Sequence, residues 1–166
     1  MTIITHLGDG GAFWIVFCIV LLIFKKTRKA GCCVFAALAI MLIVNNLVLK
    51  NIFDRPRPYD LEAWKSWFVY PDFVSRLDSA SFPSGHTSSS FAAAVGSIST
   101  KDKRIYIPAI ILAFLISFSR IYVHVHYFSD VIAGMIVGIV SAVLGILIAY
   151  GIYNLIQKKK DVKKNA

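Results

Sequence analysis

Apolar residues in this chain come in long runs rather than at helical or alternating intervals. A run of that kind has no polar face to turn toward water, so it reads as a helix with apolar surroundings on every side. Residues 12–24, 31–49, 105–123 and 131–156 form four runs that reach or approach the roughly 20 residues needed to cross a bilayer core. The first is long enough only if residues 7–11 join it. A fifth run, 87–100, is short and rich in Ser, Ala and Gly, and it crosses only if packed inside the others. The pattern predicts an all-α integral membrane bundle of about five transmembrane helices, built as one domain over residues 1–166.

Polar residues gather between the second and third runs, in a loop over 50–86. Four of the five prolines and two of the three tryptophans fall between residues 51 and 84. The stretch 61–68, Leu-Glu-Ala-Trp-Lys-Ser-Trp-Phe, spaces its aromatics as a short interfacial helix would. A loop this long in so small a protein is more often functional than idle. Gly134 and Gly138, followed by Ser141 and Gly145, make a stripe of small residues on the last helix. Its simplest reading is close packing within the bundle, and the alternative is a homodimer face. Residues 1–10 carry no Lys or Arg, so no cleavable leader is expected and the first run reads as a retained span. Residues 1–11 have room for a short outer-face helix but not for another crossing.

Composition narrows the class further. Hydrophobic residues make up 57% of the chain and mean hydropathy is +0.68, too apolar for a soluble core of 166 residues. The net charge of +9 could suggest nucleic acid, but its placement argues against that partner. Twelve of the eighteen Lys and Arg residues fall in three clusters: 25–29, 101–104 and 158–164. Each cluster closes an apolar run, which is how cytoplasmic membrane ends are marked. Alternation then places the N-terminus outside, the loop 50–86 and the turn 120–130 together on the outer face, and a frayed basic tail, 158–166, in the cytoplasm. Cys18, Cys32 and Cys33 lie in or beside apolar runs without metal spacing and read as packing residues.

Three polar clusters stand at outer ends of these helices: 50–58, 83–86 and 119–130. Ionisable groups at membrane depth are costly and mark candidate sites. Lys50, Arg57 and Arg120 offer three cations from three segments, suited to the charge of a phosphoryl group in flight. Pro83-Ser84-Gly85-His86 opens the third run, where backbone N–H groups make an anion cradle that Gly85 keeps open and the Ser84 hydroxyl supplements. His126 and Asp130, four apart, share a helix face, so the carboxylate can fix the tautomer and leave the other ring nitrogen to attack. His86 then serves as acid toward the leaving oxygen and later as base toward water. Taken singly, each feature is more often an anchor, a helix-start turn or a chance pair. Their joint occurrence on one face is what points to phosphoryl transfer.

Lys50-x6-Arg57-Pro58, Pro83-Ser84-Gly85-His86 and Ser119-Arg120-x5-His126-x3-Asp130 resemble, in order and without a gap, the three signature motifs of the type 2 phosphatidic acid phosphatase superfamily. The resemblance spans roughly 49–139, over half the chain. It implies a helical bundle, a metal-independent phosphohistidine mechanism without cofactor, and the roles given above. Arg55-Pro56 duplicates the Arg-Pro pair at the wrong spacing and is expected to support at most, while His124 fits no motif position and reads as structural. Membrane members often have six spans, one more than this pattern supplies. The implied substrate is a lipid phosphate or pyrophosphate, with the undecaprenyl-pyrophosphate phosphatase branch favoured and phosphatidylglycerophosphate, phosphatidic acid or lipid A as alternatives. A non-enzymatic lipid-binding or transport protein on the same bundle would show an eroded motif, and none is eroded here. The expected place is the plasma membrane, with the site facing the periplasm or exterior.

Overall fold

The computed structural model describes residues 11–60 and 79–165, and all regular structure within them is helical. The expected interfacial helix at 61–68 and any helix in the first ten residues lie outside the described residues. Helix α1 runs Ala12–Ile23. A tight turn leads to α2, Arg28–Ile52, which is regular through Leu42 and π-helical over Ile43–Leu49 before a last α turn. The turn holds because residues at the start of α2 satisfy the final carbonyls of α1, which have no helical partner. Thr27 Oγ1 donates to Leu21 O at 2.9 Å, and Arg28 donates to Leu22 O and Ile23 O at 3.0 and 3.3 Å. A 3-10 turn, Pro58–Asp60, follows. Helix α3, Gly85–Gly96, is prolonged by a 3-10 turn, Ser97–Thr100. Helix α4, Lys103–Tyr122, is capped by Asp102, which accepts from Arg104 N at 3.0 Å. Helix α5 runs Phe128–Asn165.

Helix α3 is the axis of the bundle, packed against α2, α4 and α5 and touched by α1. Thr87 through Ala94 are all buried. Trp14 on α1 reaches this axis, its indole N–H donating to Ser90 Oγ at 2.9 Å. Small residues allow the approach. A Cβ on Gly138 would stand 2.5 Å from Ser88 O, and one on Gly134 would stand 2.7 Å from Ser84 O. The homodimer reading of the Gly134/Gly138 stripe is therefore corrected: α3 of the same chain already occupies that face.

The outside is apolar and the inside is partly polar. Ile19, Phe35, Leu47, Phe118, Ile136 and Leu147 are exposed, whereas Asn45, Ser88, Ser90, Ser97 and Ser117 are buried. That inversion identifies lipid as the solvent of this surface. The chain is a multi-pass membrane protein. Among the described residues, Arg28–Ile52, Lys103–Tyr122 and Phe128–Val162 are long and apolar enough to cross a bilayer. At twelve residues, α1 is about 18 Å long, short of the roughly 30 Å hydrocarbon core. Helix α3 with its 3-10 extension is also short, but it is sheathed by its neighbours. The tail differs from expectation as well: α5 continues as helix through the basic cluster, because 152–165 contains no Pro or Gly to stop it.

Candidate active site

Four helix ends meet at one end of the bundle: the C-terminal ends of α2 and α4 and the N-terminal ends of α3 and α5. Short contacts tie them together. Ser84 N donates to Asp130 O at 3.1 Å, joining the start of α3 to α5. Beyond α2, Arg57 Nη1 donates to Val125 O at 3.1 Å and lies 3.4 Å from His126 Nε2. From α4, Arg120 Nη1 lies 3.2 Å from His86 Nε2 on α3. Lys50 Nζ is 3.9 Å from the point where a Cβ of Gly85 would sit. All eight residues singled out in the motifs thus converge.

The link between α4 and α5 turns His126 inward. His124 adopts a left-handed φ of 54°, a region histidine tolerates better than most residues, and Val125 N then bonds back to Arg120 O at 3.2 Å. Val123 and Val125 are buried with Tyr59, which seats the link on the 3-10 turn. Asp130 closes the start of α5 by accepting from Tyr127 N at 3.0 Å, the acidic half of a capping box.

Charge and tautomer follow from these contacts. An arginine can only donate, so its approach to Nε2 of His126 at 3.4 Å favours the tautomer with the lone pair there and the proton on Nδ1. The Nδ1 side faces Ser81 Oγ at 3.4 Å and Asp130 Oδ2 at 3.5 Å. Arg57, Arg120, His126 and Asp130 are all buried. Lys50, Arg55, Arg57 and Arg120 bring four positive charges to a cluster whose bonded carboxylate is Asp130, and such a cluster suits an anion.

A family model described as the PAP2 superfamily matches residues 29–161. The chain belongs to that superfamily. It is 36% identical over 127 residues to an undecaprenyl-diphosphatase of Sulfolobus acidocaldarius, covering 75% of this chain and 58% of that one. The chain thus spans about three fifths of the length of the curated relatives it matches. Among solved structures, it resembles LpxE of Aquifex aeolicus with a TM-score of 0.72 and 29% identity, over 87% of this chain and 82% of that one. It also resembles a transmembrane PAP2-type phosphatidylglycerolphosphate phosphatase of Bacillus subtilis, with a TM-score of 0.66 and 25% identity, over 94% and 76% of the two chains.

Within this PAP2 arrangement, three residues outside the motifs take part. Ser81, fully buried, donates to Asp130 Oδ2 at 2.5 Å and stands beside His126 Nδ1, so the expected direct His126–Asp130 bond is shared with a hydroxyl. Arg55 does more than the expected support. Its Nη1 reaches Asp130 Oδ1 and Ser129 Oγ, each at 2.7 Å, while its guanidinium stacks 3.9 Å over the Tyr127 ring. Ser79 accepts from Lys50 Nζ at 3.3 Å and from Arg57, at its backbone oxygen and its hydroxyl, at 3.0 and 3.2 Å. The repeated Arg-Pro pair was the sequence signal for Arg55. Nothing in the pattern marked Ser79 or Ser81. An open cleft of about 440 Å³ lies between Phe53, Asp54, Arg55 and Phe82.

Proposed function

We propose that this chain is a metal-independent phosphatase of lipid phosphates and pyrophosphates, acting through a phosphohistidine on His126, with undecaprenyl pyrophosphate as its substrate. The carrying observation is His126 itself, with Nε2 toward Arg57 and Nδ1 toward Ser81 and Asp130. Nε2 attacks phosphorus, the bond from phosphorus to the lipid-side oxygen breaks, and His86 gives that oxygen its proton. Lys50, Arg57, Arg120, the Ser84 hydroxyl and the backbone at Gly85 hold the phosphoryl oxygens, and Asp130 balances the charge on the phosphorylated ring. In the second half, His86 takes a proton from water, the hydroxide displaces Nε2, and inorganic phosphate leaves.

The carrier-lipid substrate is supported by the Sulfolobus relative, whose name states that activity. The solved Bacillus relative, named for phosphatidylglycerolphosphate, and a Bacteroides thetaiotaomicron relative named as a lipid A 4'-phosphatase keep those two lipids among the alternatives carried from the sequence. The site opens on the outer face in this reading, because the basic clusters lie toward the other end. Metal independence rests on donor chemistry: among the described residues no three of His, Cys, Asp or Glu gather into a ligand set. Phosphate release by the purified chain from a panel of lipid mono- and diphosphates tests the whole reading. Activity is expected to survive EDTA, to be inhibited by vanadate, and to be highest on undecaprenyl pyrophosphate. Loss in EDTA with recovery on adding Mg²⁺ would defeat the mechanism.

A further inference from the structure

Over Ile43–Leu49 helix α2 opens from α to π geometry, and the Lys50 N–H donates to the carbonyl of Asn45, five residues back. On a regular α-helix residues five apart point about 140° away from each other. Widening the turn swings them toward a common face, and short π segments recur at functional sites. The side chains affected are Asn45 and Lys50. The point a Gly85 Cβ would occupy is 3.7 Å from Asn45 Nδ2 and 3.9 Å from Lys50 Nζ, so both stand over the first turn of α3. Asn45 is fully buried in a helix whose outer face meets lipid, where an unbonded amide is costly. Its Oδ1 lies 2.8 Å from Ser88 Oγ, whose single proton is shared between this oxygen and Ser84 O at 2.7 Å, and its Nδ2 donates to Asn46 Oδ1 at 3.0 Å. The amide therefore clamps the wide turn to α3, and neither Asn45 nor Ser88 belongs to a signature motif.

We propose that Asn45 is a positioning residue for Lys50: it anchors the π-helical turn that delivers the ammonium group to the phosphate site at the start of α3. The proposal rests on Lys50 as a phosphate-holding cation. Without the clamp the turn relaxes toward α geometry and carries Lys50 around the helix axis, away from Gly85. Asn45 then acts on the bound anion only through Lys50.

Vanadate binding to the purified full chain in detergent, followed by calorimetry, tests this through a double-mutant cycle. Asn45→Ala is expected to weaken vanadate about tenfold, the scale of one charge-assisted contact, and Lys50→Ala at least as much. Combined, the two are expected to be no worse than Lys50→Ala alone, since the second change then has nothing left to misplace. Effects that multiply would show Asn45 acting elsewhere and overturn the proposal. Parental affinity in Asn45→Ala beside an impaired Lys50→Ala overturns it too, while leaving the phosphate site standing. Parental affinity in Lys50→Ala sinks the site reading and this proposal together. Should Asn45→Ala not fold, Ser88→Ala releases the same amide with loss of one oxygen and takes its place in the cycle. A loss of about threefold, absent when Lys50 is already Ala, is then expected, and unchanged affinity overturns the proposal.

Discussion

His126 is held between opposing influences. Burial pushes its imidazole below the ordinary histidine value, Asp130 pulls it back up by hydrogen bond and charge, and Arg57 adds to the lowering. Burial prevails, so the ring is expected to be neutral at neutral pH, with Nε2 keeping the lone pair that the proposed attack requires. Activity is then lost on acidification only as pH falls through this depressed value, below about 6.5. Asp130→Asn removes an influence that raises the value, so the acid limb of kcat/KM is expected to move further down. The rate should fall by roughly 10²-fold as the ring loses its charge partner. Profiles of both proteins on one substrate check this, because the substrate's own titration is common to them; an acid limb that moves upward contradicts the assignment. The two histidines separate by leaving group. His126→Ala is expected to abolish turnover and the acid-labile phosphoenzyme, whereas His86→Ala should retain more relative activity on p-nitrophenyl phosphate than on a lipid monophosphate. Rapid-quench trapping distinguishes them, and a phosphoenzyme persisting in His126→Ala would mean another nucleophile. These motif residues were legible because each is an ionisable or turn-forming group in apolar surroundings. Ser79 and Ser81 were not, since a serine in a polar loop looks like any other until the fold brings it to Arg57 or Asp130. Asn45 stands out only as one of two adjacent amides inside an apolar run, and no spacing in the sequence distinguishes it from Asn46.

At the scale of elements, hydrophobic runs locate helices well and their ends less well. The runs at 105–123 and 131–156 became Lys103–Tyr122 and Phe128–Asn165, the second extended because lysine-rich sequence continues a helix even where lipid ends. The π-helical stretch of α2 left no mark on the hydrophobic pattern, for the contact proposed to anchor it, Ser88 Oγ to Asn45 Oδ1, is tertiary. The short run 87–100 was harder still, being too polar for lipid contact, and its role follows from burial on all sides rather than from length. Small residues make that burial feasible. A Cβ on Gly138 would also meet Phe91 Cβ at 2.8 Å, so Gly138→Val must part α5 from α3 and is expected to cost about 1–3 kcal/mol. Gly151 has nothing within 4 Å of its Cβ position, and Gly151→Val should change stability by no more than about 0.5 kcal/mol. Thermal unfolding of the two variants in detergent compares them, and equal midpoints would deny the close α3–α5 contact.

The whole molecule is polarised along its helix axes. At one end stand Lys50, Arg57, His86, Arg120, His126 and Asp130. Toward the other, Lys29 Nζ lies 3.9 Å over the Tyr150 ring and 4.1 Å over Tyr153, pinning the start of α2 to α5 where basic residues and aromatics mix. Such a belt is what a membrane interface selects. From Tyr150 back to Phe128, α5 covers about 34 Å, close to the thickness of a hydrocarbon core, so the site comes out level with the opposite interface. The Lys/Arg clusters at 25–29, 101–104 and 158–164 lie on the Lys29 side, and retention of Lys and Arg in the cytoplasm is expected to turn the site outward, as proposed. A background with Cys18, Cys32 and Cys33 replaced allows a direct check with a membrane-impermeant maleimide on intact cells. Cysteine at Asp60, exposed beside the site, is expected to label without permeabilisation, while cysteine at Lys158, exposed on the basic extension of α5, should label only after it. Labelling at Lys158 but not Asp60 in intact cells would invert the orientation, and the substrate would then have to reach the site from the cytoplasmic leaflet.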